Sequence, residues 1–149
     1  MYEDYLSKSL ACIIMAKQAL HNYKTVKIKD MKNIAAYNMQ QSIEYIIKYK
    51  IYNCGKYTKN SQIYDHNIDR MIKKYCVPYG IDVPVKIRKN ANIYTLWEAE
   101  SRYDSDFSVR IDTLYATIRV IEEWLMEIRP YYNKKLNQVN KKLGNIHVT

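Results

Sequence analysis

With 149 residues, 48% of them apolar, the chain is long enough to bury a core as one domain and too apolar to stay disordered. Three glycines nearly exclude a glycine-rich phosphate cradle, and three widely spaced cysteines supply no C-x-x-C redox or zinc pattern. A formal net charge of +9 points the search for partners towards phosphates rather than cations.

The stretch "MYEDYLSKSLACIIMAKQAL" places Tyr2, Leu6, Leu10, Ile13, Ile14 and Leu20 on one helical face and predicts helix one over residues 3 to about 22. Acids come first and Lys17 interrupts the apolar run, so neither a signal peptide nor a membrane span is expected. With free thiols at Cys12, Cys54 and Cys76 this suits a reducing cytoplasm. "HNYKTVKIKD" reads as a polar connection, with Asp30 as cap of a second helix over about 30–53. Its stripe is Met31, Ile34, Ala35, Met39, Ile43, Ile46 and Ile47, and Gly55 is the stop signal.

A loop leads to Asp65, the expected N-cap of a short helix, "HNIDRMIKKYC". Pro78, Gly80 and Pro84 break that helix, and a fourth follows over about 85–101 with Ile87, Ala91, Tyr94 and Trp97 inward. Phe107, Ile111, Leu114, Ile118, Ile121, Leu125 and Ile128 then form a heptad-like seam, suited to a core or to a dimer contact. Pro130 ends or kinks that helix. These readings give an all-α fold, an antiparallel bundle of about five helices over 1–128, with 129–149 a basic C-terminal tail that adds a short helix or frays.

The charge is uneven. Residues 23–90 carry fourteen bases and five acids, 91–128 three bases and eight acids, and 129–149 five bases and no acid. Solvated lysines and a nucleic-acid surface both fit the basic segments, because charge alone supplies only non-specific affinity. The motifs of P-loop, dinucleotide-binding, serine-hydrolase and zinc-protease chemistry are missing, and no cofactor or metal site is expected. The acid pair Glu122/Glu123 is expected to be solvated.

Three stretches in order carry a family likeness. "AAYNMQQSIEYIIKYKIYNCG" sets out Gln41, Glu44 and Lys48, "YDHNIDRMI" puts His66 at a helix start, and "AESRYDSDF" precedes a long closing helix. Over roughly residues 2–128 this order resembles the HEPN superfamily of four- to five-helix bundles. One branch of that family comprises metal-independent ribonuclease toxins with an R-x(4–6)-H motif. No arginine here has a histidine five to seven positions later, so that motif is missing. The resemblance therefore implies the other branch: helical partners of minimal nucleotidyltransferases, nucleotide-binding or partner-completing, often in toxin–antitoxin pairs. The family turn often reads Arg-Tyr-Pro, whereas Asp104 follows Arg102 and Tyr103 here.

Each candidate has two readings. Arg102 suits a phosphate through its guanidinium fork, or latches onto Glu98, Glu100 or Asp106. Tyr103 stacks on a base or wedges two helices apart. His66 is a general acid/base or satisfies a loop carbonyl, and Arg70, one turn on, would make a reversed H-x-x-x-R pair with it. Gln41, Glu44 and Lys48 form either a surface ion pair with a neighbour or a polar strip facing a cleft. The expected function is a non-catalytic module binding a nucleotide, an RNA phosphate or a partner nucleotidyltransferase, as a homodimer and away from membranes. The alternatives are a divergent ribonuclease using His66 with Arg70 or Arg102, and a basic helical scaffold.

Overall fold

The computed structural model describes residues 4–59, 61–103 and 108–144, the side chains of Arg102 and Tyr103 excepted. Among these residues every regular element is helical. Helix α1 (Tyr5–Val26) starts at Asp4, whose carboxylate accepts from the backbone N–H groups of Leu6 at 3.1 Å and Ser7 at 3.3 Å. It runs past the expected end at residue 22, and the polar connection contracts to Lys27 and Ile28. Lys27, at φ 61°, makes the left-handed turn that ends α1.

Helix α2 (Lys29–Asn53) begins directly behind Ile28, so Asp30 stands in the first turn instead of capping it. Its charge still favours that end of the helix dipole. Ile34, expected in the core, is exposed, because it lies two residues from buried Ala36 and so nearly opposite on the helix. Helices α1 and α2 pack antiparallel. Ser9 Oγ donates to the Ser42 carbonyl at 2.9 Å and Ser42 Oγ to the Ser9 carbonyl at 3.0 Å, a reciprocal pair only small side chains permit.

Helix α3 (Ile68–Met71) widens into a π-helical segment (Ile72–Cys76) before α4 (Val77–Tyr79). Pro78 explains the widening: it has no N–H to donate and its ring crowds the carbonyl four residues back. The expected fourth helix is two, α5 (Val85–Lys89) and α6 (Ala91–Tyr103), broken at Asn90, whose side chain donates to the Lys86 carbonyl at 2.8 Å.

In α7 (Ile111–Ile128) Leu114, Ile118, Ile121 and Leu125 are fully buried against the other helices. The seam is thus occupied within one chain and is not free for a dimer contact; Phe107 lies outside the described residues. Helix α8 (Tyr132–Leu143) turns Tyr132, Leu136 and Leu143 into the same core.

Between α1, α7 and α8 lies a buried polar cluster. Lys17, with no exposed surface, donates from Nζ to Glu122 Oε1 at 3.0 Å and to Asn140 Oδ1. Glu122 is therefore not solvated, contrary to the expectation for the 122/123 pair; only Glu123 faces water. A fully buried ammonium needs such a partner. Nearby Arg129 donates to Asp4 at 2.7 Å and to the Tyr132 hydroxyl at 3.0 Å, tying the start of α1 to the α7–α8 turn.

Candidate functional site

Helix α2 presents Gln40, Glu44 and Lys48 at intervals of four, and all three are buried. Of the two readings of Gln41, Glu44 and Lys48, surface ion pair or polar strip, the Glu44–Lys48 pair is present but buried, with Lys48 Nζ 4.0 Å from Glu44 Oε1. Facing them is the start of α3. His66 Nδ1 lies 2.7 Å from Glu44 Oε1, and the Gln40 amide donates to the His66 carbonyl at 3.4 Å. Gln41 donates to the Gln40 side chain at 2.6 Å. Glu44 thus holds the ring of His66, Gln40 its backbone, and Gln41 steadies Gln40.

The segment before α3 is held by its own side chains. Asn67, not Asp65, is the N-cap, accepting from the Arg70 N–H at 2.9 Å. Asp65 accepts from the Asn67 N–H at 2.9 Å and takes the Arg70 guanidinium in a fork, 2.6 Å to Nε and 2.7 Å to Nη2. Arg70 thus meets Asp65 while lining the same cleft as His66. Helix α6 closes the third side, with Thr95 Oγ1 accepting from the Ile68 N–H at 3.1 Å.

The segment before α3, the start of α3 and one face of α6 border a shallow, open cleft of about 630 Å³ lined by Tyr64, His66, Arg70, Leu96 and Glu98 among others; α2 backs it through the contacts of Glu44 and Gln40 with His66. Arg102 lies one turn beyond Glu98 on α6, so its backbone belongs to the same side of the molecule. The side chains of Arg102 and Tyr103, and with them the choice between latch and phosphate contact, lie outside the described residues.

Burial drives the Glu44 carboxyl above its ordinary range; the charge of Lys48 and the His66 hydrogen bond pull against that, and Glu98 adds to it. An ionised Glu44 accepts from Nδ1–H, and in that tautomer the lone pair of the ring is on Nε2. The ring is 62% exposed, so the dyad has a buried acid and an accessible base. Such a pair accepts a proton, or donates a hydrogen bond to phosphate when protonated.

Burial raises the Cys12 thiol to about 11, Glu44 adding to the effect, and the Cys76 thiol to about 12, so neither is poised as a nucleophile. Among the described residues no three His, Cys, Asp or Glu side chains cluster to hold a metal, and no helix is long and apolar enough to cross a membrane.

Sequence reasoning singled out Gln41, Glu44, Lys48 and His66, and the fold brings them together. It missed Gln40, one turn before Glu44, and Asp65 as the partner of Arg70. The chain matches no protein-family model, no curated protein and no solved structure.

Proposed function

We propose that the chain is a HEPN-like antiparallel helical bundle that binds a nucleotide or an RNA phosphate in the cleft between the His66 segment, α3 and α6, which α2 backs through Glu44. Counting α3–α4 and α5–α6 as one unit each, α1 to α7 supply the five helical units of such a bundle. The 2.7 Å contact between Glu44 and His66 carries the reading, because it joins two motifs of the resemblance at an open cleft. The module works in the cytoplasm beside a nucleotidyltransferase or as a homodimer. Titration of adenosine monophosphate followed by calorimetry tests it. Binding that His66→Ala weakens at least tenfold is expected; binding that His66→Ala leaves intact moves the site elsewhere.

A second reading, a metal-independent ribonuclease, is favoured by the same carboxylate–imidazole dyad. Here His66 Nε2 takes the proton of a 2′-hydroxyl while Glu44 orients the ring. The 2′-oxygen bonds to the adjacent phosphorus, the P–O5′ bond breaks, and the leaving 5′-oxygen takes a proton from water, leaving a 2′,3′-cyclic phosphate. Arg70, which lines the cleft with its guanidinium forked onto Asp65, or Arg102 would serve as the phosphate cation of this mechanism. Transfer RNA incubated without metal, beside a His66→Ala control, decides: cleavage lost in the control establishes the enzyme, and intact RNA rejects it.

A further inference from the structure

The cleft does not end at His66. Arg70, which lines it, begins a row of exposed cations on α3 and the π-helical segment, continued by Lys73 and Lys74. All three are exposed and so lie on the solvent side of this element. At the far end Lys74 Nζ stands 5.3 Å from the centre of the Tyr75 ring. Tyr75 in turn meets Tyr57 at 5.9 Å between ring centres and Tyr79 at 6.1 Å. At the near end Tyr64, 78% exposed, stands on the lip of the cleft.

The chain segment that carries this row is positive: residues 50–79 hold six bases and two acids, while Glu98 lines the cleft at its head. The acids, Asp65 and Asp69, are each engaged by one cation, Arg70 and Lys73 respectively. An excess of positive charge interleaved with aromatic rings is the combination that holds single strands: phosphates follow the cations and bases lie against rings.

We infer that the face from Tyr64 along Arg70, Lys73 and Lys74 to Tyr75 is a track for single-stranded RNA. One base stacks on Tyr64 at the mouth of the cleft, and the following phosphates lie on Lys73 and Lys74. RNA is favoured over DNA because the His66 Nε2 lone pair at the head of the track accepts a hydrogen bond from a 2′-hydroxyl. The inference rests on the nucleotide-binding reading of the cleft and extends it from one nucleotide to a strand.

The test is fluorescence anisotropy with a labelled oligoribonucleotide of about twelve nucleotides, run beside adenosine monophosphate as a cleft-only ligand. The strand should bind tighter than the mononucleotide. The double variant Lys73→Glu/Lys74→Glu, confined to exposed positions, should weaken strand binding at least tenfold while leaving the mononucleotide unaffected. In a Lys73→Ala/Lys74→Ala form the slope of log affinity against log salt should fall by about 1.4. Tyr64→Ala should weaken the strand, and Tyr64→Phe restore it. Strand affinity unchanged in the lysine variants overturns the track. So does equal binding of duplex RNA or single-stranded DNA, or attachment of the protein to anionic vesicles in place of RNA. Mononucleotide binding without any gain for the strand removes the track and leaves the cleft; absence of both removes the two together.

Discussion

His66 Nδ1 stands 2.7 Å from Glu44 Oε1, a contact between a buried acid of α2 and an exposed ring at the start of α3. An ionised Glu44 can only accept here, so in a neutral ring it selects the tautomer with the proton on Nδ1 and the lone pair on Nε2. Long-range nitrogen–proton correlation spectra of the neutral imidazole should show the Nδ1–H form in the parent. The Nε2–H form in the parent would contradict the dyad. Loss of the preference in Glu44→Ala would confirm its origin.

The same acid leaves a mark on stability. Burial raises the folded-state value of Glu44 above the unfolded 4.5, despite Lys48 and His66. Between the two values the folded chain holds the extra proton, so stability falls as pH rises from about 4.5. Urea midpoints measured across that interval should show the fall in the parent and lose it in Glu44→Gln. An identical slope in both would show that the carboxyl is not the group responsible.

Asp4 acts in the opposite sense. Burial opposes its ionisation, yet hydrogen bonds from Arg129, Ser7 and Leu6 hold it below its ordinary 3.8. Its contribution is therefore complete above about 3.8 and is lost as pH falls through the lower folded value. Asn caps a helix as well as Asp but offers Arg129 no charge. Asp4→Asn should match the parent in strong acid and fall behind it above about pH 4. A constant gap at every pH would assign the residue to capping alone.

Lys17 and Glu122 must be changed together. Lys17→Met leaves the Glu122 carboxylate buried without its cation, and Glu122→Leu strands the ammonium. Each should cost about 3–5 kcal/mol in chemical denaturation. The double variant should cost clearly less than the sum, since no lone charge remains. Additive losses would mean that the pair is not coupled.

Gly80 is a backbone requirement without a packing one. It ends α4 at φ 69°, and a Cβ there would meet nothing within 4 Å. Gly80→Ala should still cost about 1 kcal/mol, and Gly80→Asn less, because the left-handed conformation alone is penalised. A neutral Gly80→Ala in thermal unfolding would show that the turn relaxes into another form.

Much of the helical architecture was legible because burial repeats with the helix period. The buried core of α7 follows the heptad spacing of Leu114, Ile118, Ile121 and Leu125. The break at Asn90 was not legible, since an asparagine that caps its own helix resembles one on an exposed face. Glu122 was misread for a different reason. Beside Glu123 it looks solvated, and its partner lies 105 residues away on α1. At the cleft, Gln41, Glu44, Lys48 and His66 stood out through their order along the chain. Spacing placed Arg70 beside His66, and both line the cleft; the fork of its guanidinium onto Asp65, five residues back, was not read from the sequence.

The buried cluster around Lys17 also bears on how the protein is made. Lys17 and Asn140 are 123 residues apart, so at roughly 5–20 residues per second a ribosome supplies the second about 6–25 s after the first. Until α7 and α8 arrive, the ammonium of α1 has neither acceptor and must stay in water. The face of the first helix toward α2 is covered as soon as α2 emerges, but the Lys17 position waits for the last helix. Any nascent chain stalled before α8 keeps that charge without the Asn140 acceptor of its finished site.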